Sequence, residues 1–280
     1  MELKNIYGLY FSPTGNTENI VSHIAGKLSA MFDINYRLIS INKPEQRVLS
    51  LNFSKGDIVV FGLPVYAGRV PNLLLPTINK IEGNGAFGVS IVLFGNRNYD
   101  DALYELSRIM YNNNFNIVAS GAFVGQHSFS TKLAKDRPDS EDINIASKFS
   151  TSIYNKVNTI DSQRVVKESQ DFMQRYFKKK DVLKYFQPKD KNGNKIDIRK
   201  VLPITSEDCN FCGKCIELCP MNAIDVNNPK NIIGICIKCG ACVKYCPLHA
   251  KSFTDKSYLT HLYDLEDKYL NFRAKVDLFI

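Results

Sequence analysis

All eight cysteines of this 280-residue chain fall between Pro203 and Thr254. They form two runs of one pattern, C-x2-C-x2-C-x3-C-P. The first is Cys209, Cys212, Cys215 and Cys219 before Pro220; the second is Cys236, Cys239, Cys242 and Cys246 before Pro247. Spacings this short let one turn of backbone deliver three thiolates to three irons, and the pattern is one that holds [4Fe-4S] clusters. Iron–sulfur cores favour soft sulfur donors, which these runs supply. A structural zinc pair would use longer loops between two C-x2-C halves, or mix in histidines. A disulfide scaffold would not leave the first 208 residues without a cysteine. The residues therefore point to two clusters, with no thiol left over.

The two runs resemble the bacterial two-cluster ferredoxins. That resemblance implies mixed ligation, in which the fourth cysteine of each run serves the other cluster. One site would then be Cys209, Cys212, Cys215 and Cys246, and its mate Cys236, Cys239, Cys242 and Cys219. Met221-Asn-Ala-Ile224 and Leu248-His-Ala250 follow the two prolines in parallel, so the module reads as two related halves. Cluster binding would contribute folding energy to a segment too small for a large apolar core.

A hydrophobic fraction of 44% supports a medium domain beside this small one. The start lacks a signal-peptide pattern and no apolar run is long enough to span a membrane, so a reducing, oxygen-poor cytoplasm is expected. The formal charge is +8. Two oxidised clusters and the phosphate of a bound cofactor would each contribute about −2, leaving about +2. That removes most of the case for a nucleic-acid partner.

The residues before the cysteines alternate strand and helix signals. A first strand over 3–11 runs into Ser12-Pro-Thr-Gly-Asn-Thr17, and Ile20, Val21, Ile24, Ala25 and Leu28 then recur at helical spacing. A strand, a hydroxyl-rich loop and a helix N-terminus make a phosphate cradle. The loop has neither the Walker glycine–lysine pattern nor the three-glycine dinucleotide fingerprint, so it suits a terminal monophosphate. Further strands are expected over 34–41, 57–61, 86–94 and 115–124. Asn98 is expected to cap the helix after the fourth, with Asp101 as box partner, Pro71 to open another, and a last helix to cover 142–157. The sum is a doubly wound α/β domain with a five-stranded parallel sheet. In such sheets ligands sit beyond the carboxyl ends of the strands.

Ser12, Thr14, Gly15, Asn16 and Thr17 match the FMN-phosphate loop of the flavodoxins, and the chain resembles that family. The resemblance implies that the loops after the third and fourth strands embrace the isoalloxazine ring. It points to Pro64, Tyr66, Gly68 and Arg69 in one loop and Gly95, Asn96, Arg97 and Tyr99 in the next as cofactor-binding. Arginine near the flavin could stabilise its anionic reduced form. His127, on the loop after the last strand, is the candidate proton donor.

As a whole the chain resembles the anaerobic bacterial fusions of a flavodoxin-like domain with a two-cluster ferredoxin. The expected parts are the flavodoxin-like domain (1–160), a helical linker (161–200), the ferredoxin domain (201–255) and an extension packing on the core (256–280). In the linker, Val165, Val166, Phe172, Phe177 and Leu183 are expected to pack, and 178–180 to be a solvated basic end. The function expected is an FMN and iron–sulfur oxidoreductase, either an electron carrier or the reductase of a small organic acceptor such as a quinone. Its partner is a redox protein or that acceptor, and a homodimer is compatible. No second dinucleotide domain is present for NAD(P)H. The rival reading, a nucleic-acid-binding or redox-sensing regulator with structural clusters, needs a basic stripe with aromatics, whereas lysine and arginine are scattered here.

Overall fold

The computed structural model describes residues 2–48, 50–178, 181–182, 184–190 and 192–280. Lys179, Lys180 and Leu183, which the sequence reading singled out, lie outside them.

Five strands, β1 (Asn5–Tyr10), β2 (Tyr36–Ser40), β3 (Asp57–Pro64), β4 (Phe87–Phe94) and β5 (Asn116–Val124), run parallel in the order 2-1-3-4-5. That is the flavodoxin-like doubly wound order. Both faces of the sheet are covered, which is why β3 and β4 read as almost unbroken apolar runs. Alternate side chains divide between two cores: Leu9, Phe61 and Val92 face one way, Ile6, Val60 and Ile91 the other. Helices α1 (Asn16–Phe32) and α4 (Ser140–Thr159) cover the second face. The first is covered by α2 (Leu75–Ile78), α3 (Ala102–Asn112) and α5 (Val165–Tyr176).

Several local expectations are corrected. Asn98 does not cap α3: its side chain accepts from the Asp100 amide, and the helix starts after Asp101, which makes no side-chain cap. Pro71 precedes a 3-10 turn over Asn72–Leu74 rather than opening a helix directly. In α5 the packing face is Val165, Ser169 and Phe172, while Val166 is exposed. Ser169 accepts from the Ile117 amide at 2.8 Å, so this linker helix is bonded to β5.

The largest addition is a sixth strand. After α6 (Lys214–Leu218), α7 (Ala241–Lys244) and the small ladder of β6 (Ile204–Thr205) with β7 (Lys251–Ser252), the chain forms α8 (Lys256–Tyr269) and returns to the main sheet. There β8 (Asp277–Phe279) pairs antiparallel with β5 and covers its open edge. Arg137 ties this return to the core. It donates to Ala274 O at 2.8 Å and makes a two-point ion pair with Asp142, at 2.8 and 2.5 Å. Among the described residues no helix is long and apolar enough to cross a membrane.

Candidate functional site

The cysteines ring two cavities at the end of the molecule where the parallel strands deliver their carboxyl ends. Cys209, Cys212, Cys215 and Cys246 line one. Cys219, Cys236, Cys239 and Cys242 line the other, with Pro220, Ile224, Ile237 and Phe253 as apolar wall. Each set takes three cysteines from one run and the fourth from the other. Among the described residues, no three His, Cys, Asp or Glu side chains converge on a single-ion site; the sulfurs surround volumes. Gly213 and Gly240 start α6 and α7 in the left-handed region, which lets three cysteines curl around one cavity. Amides point at the sulfurs: Ala223 N–H donates to Cys219 Sγ and Ala250 N–H to Cys246 Sγ, both at 3.3 Å. Burial pushes the thiols of Cys215, Cys236, Cys239 and Cys242 up, Cys242 to about 12. Thiols this reluctant to ionise alone become thiolates when a cationic core replaces their protons. The donor set and its apolar wall fit an iron–sulfur core.

The loop after β1 has the features of an anion cradle. Gly15 takes φ +87° at the start of α1, without a side-chain cap. Ser12 Oγ accepts from the Glu18 amide at 3.0 Å and the Ser12 amide donates to Asn42, which fixes the loop from behind. The amides of Thr14, Asn16 and Thr17 meet no protein acceptor among the described residues. Free amides at a helix N-terminus fit a phosphate. Asn16 is partly spoken for, since its side chain donates to Gln126 O at 3.1 Å.

The cradle and the second cysteine cavity meet. From α7, Lys244 Nζ and the hydroxyl of the next residue, Tyr245, donate to the Thr14 carbonyl at 3.2 and 2.8 Å. Gly240 passes so close to the loop after β5 that a Cβ there would lie 2.5 Å from Ser128 O. Lys43 reaches across from the loop after β2 to the carbonyls of Ile216 and Cys219, and Arg47 to that of Pro220. Ile237, Cys239 and Ala241 join the same apolar cluster as Tyr66, Tyr99 and Leu63. Tyr66 is the nearest witness: burial raises its phenol well above the ordinary value, and Cys239 and Cys236 add to the effect.

The remaining candidates are brought to this junction but engaged with protein partners. Arg69 pairs with buried Glu105 and lies 4.8 Å from the Tyr185 ring centre; Arg97 pairs with Asp100 and lies 4.2 Å from Phe186. Pro64 is the last residue of β3, paired with Leu93 of β4, and Gly68 O in the loop beyond accepts from the Asp101 amide. Asn96 is 2% exposed, and its amide group bonds Tyr269 O, Phe272 O and the Ala274 amide, so it pins the C-terminal return. Tyr99 donates to Asp277. His127 packs against Gly95 and beneath Phe129. Its Nδ1 accepts from the Phe129 amide at 3.1 Å, which leaves the proton on Nε2. Burial, then His261 and Arg97, pull its pKa to about 4, so it is neutral at pH 7.

Sequence reasoning missed Tyr185 and Phe186, whose segment closes over the loop after β3 through Phe186 N–H to Ala67 O and Tyr185 O–H to Val70 O. It also missed Lys43, Arg47, Lys244 and Tyr245 as junction residues. The one available signal was the Tyr-Phe pair in an otherwise charged linker.

Together these features define a class: a doubly wound domain of flavodoxin-like order fused to a ferredoxin-type iron–sulfur segment. A family described as a 4Fe-4S dicluster domain matches residues 208–251. Among solved structures, an archaeal flavodoxin is 14% identical, covering 56% of this chain and 99% of its own, with a TM-score of 0.39. Flavodoxin 2 from Bacillus cereus is 18% identical over 55% and 99% of the chains, with a TM-score of 0.40. The rubredoxin oxygen:oxidoreductase of Desulfovibrio gigas is 13% identical over 55% of this chain and 36% of that one, with a TM-score of 0.41. No curated protein matches the chain. The strand order itself carries the fold assignment.

Proposed function

We propose that this chain is an FMN and iron–sulfur electron-transfer protein. In this reading Cys209, Cys212, Cys215 and Cys246 hold one [4Fe-4S] cluster, and Cys219, Cys236, Cys239 and Cys242 hold a second. The amides of Thr14, Asn16 and Thr17, with the Ser12 and Thr17 hydroxyl region behind them, hold the phosphate of FMN. The observation that carries the proposal is the junction: α7, which supplies Cys242, also bonds Thr14 of the phosphate loop through Lys244.

When bound, the clusters supply single-electron steps and the flavin one- or two-electron steps. The chain's own part is to bring their sites together and keep water out. Tyr66 and Ile237 pack apolar surface between them. Tyr185, Phe186 and α8 roof the loops that would face the ring. His127 could donate there only as a neutral imidazole through Nε2, not as an imidazolium. A roofed site favours exchange of electrons with a redox partner protein over binding of a bulky organic substrate. The proposal includes a reducing cytoplasm as the setting.

Protein purified without oxygen should contain about eight iron and about eight acid-labile sulfides per chain, as two such clusters require. Mass analysis of the released flavin should give FMN, one per chain. Tightly bound zinc with little sulfide would overturn the cluster assignment, and FAD or no flavin would overturn the phosphate-loop assignment.

A further inference from the structure

We infer that Lys251 is a buried counter-charge of the cluster held by Cys209, Cys212, Cys215 and Cys246, and that it holds that cluster's reduction potential up. The inference rests on the iron–sulfur reading above.

The two halves of the module are related by the position of each fourth cysteine. Five residues after Cys219 stands Ile224; five after Cys246 stands Lys251. Both are buried, at 4% and 3% exposure. An apolar position in one half thus holds an ammonium in the other. Lys251 lies in β7 opposite Thr205, and its Nζ donates to the Pro229 carbonyl. It forms no ion pair with a carboxylate among the described residues.

A buried charge without an opposite partner is costly, so something anionic should compensate it. The side chain lines the cavity of Cys209, Cys212, Cys215 and Cys246. The acceptor of its Nζ, Pro229, lines that same cavity. Four thiolates around an iron–sulfur core give each site a net negative charge that grows on reduction. A fixed cation beside the first site favours its reduced form.

The test is an anaerobic redox titration followed by electron paramagnetic resonance on intact protein, comparing Lys251→Met, Lys251→Gln and Lys251→Arg. In the Met and Gln variants the ratio of reduced to oxidised cluster at fixed poise should fall about tenfold, or about 59 mV for a one-electron couple. The Arg variant should stay near the parent. Full iron content with unchanged potentials in the Met and Gln variants would overturn the inference. So would an Arg variant shifted as far as Met. If the neutral variants assemble poorly, iron retention decides: the inference expects Arg to restore it, and equal loss in Arg overturns it. A parent protein lacking clusters would defeat the iron–sulfur reading instead.

Discussion

Cys219→Ser should empty the second cavity, not the first, although Cys219 belongs to the first run. About half the iron, or about four of eight, should be lost. The side chain lines the cavity of Cys236, Cys239 and Cys242, and its sulfur accepts from the Ala223 amide beside that wall. Combining variants makes the assignment decisive, because residues serving one site are not additive. Cys219→Ser with Cys239→Ser should lose no more iron than either alone. Cys219→Ser with Cys212→Ser should lose nearly all. If the first run formed a site by itself, the two double variants would exchange results.

Asp142→Ala should be among the most destabilising single substitutions away from the cysteines. Its carboxylate is fully buried, accepts two bonds from Arg137 and one from the Asp139 amide, and its loss leaves a buried guanidinium unpaired. Removing one partner of such a pair costs about 3–5 kcal/mol. For a chain of this size that lowers the midpoint of thermal unfolding by on the order of 10 °C. Because Arg137 also bonds Ala274, protease cleavage of the C-terminal return should accelerate. Arg137→Met with Asp142→Leu, which removes both charges, should recover part of the loss. A cost under about 1 kcal/mol for Asp142→Ala would mean that other contacts hold the return in place.

What could be read from the sequence was local and repetitive. The cysteine spacing, the hydroxyl-rich loop and the apolar strands are short-range patterns whose geometry follows from a few adjacent residues. Right-handed crossovers narrow the possible strand orders to a few, and the 2-1-3-4-5 order is seen only in the fold. The roof of the site was not legible, because its bonds join residues far apart through backbone atoms. Asn96 looks like a loop asparagine until Phe272 and Ala274 arrive to satisfy it. The strand at Asp277–Phe279 has three residues and no alternation to mark it; β5 makes it a strand. Arg69 and Arg97 are ligand-like in type and position, and only the fold shows Glu105 and Asp100 already paired with them.

The claim that the two modules form one conductor rests on the bonds between α7 and the phosphate loop. Rapid anaerobic mixing with a one-electron donor, following cluster and flavin absorbance separately, tests it most directly. The clusters should bleach first, and flavin reduction should then proceed at a rate unaffected by protein dilution, as transfer within a chain requires. A Cys239→Ser variant lacking the second cluster should show that flavin phase slowed severely. A flavin phase whose rate rises with protein concentration, or one that keeps its full rate in Cys239→Ser, would contradict an internal path from cluster to flavin.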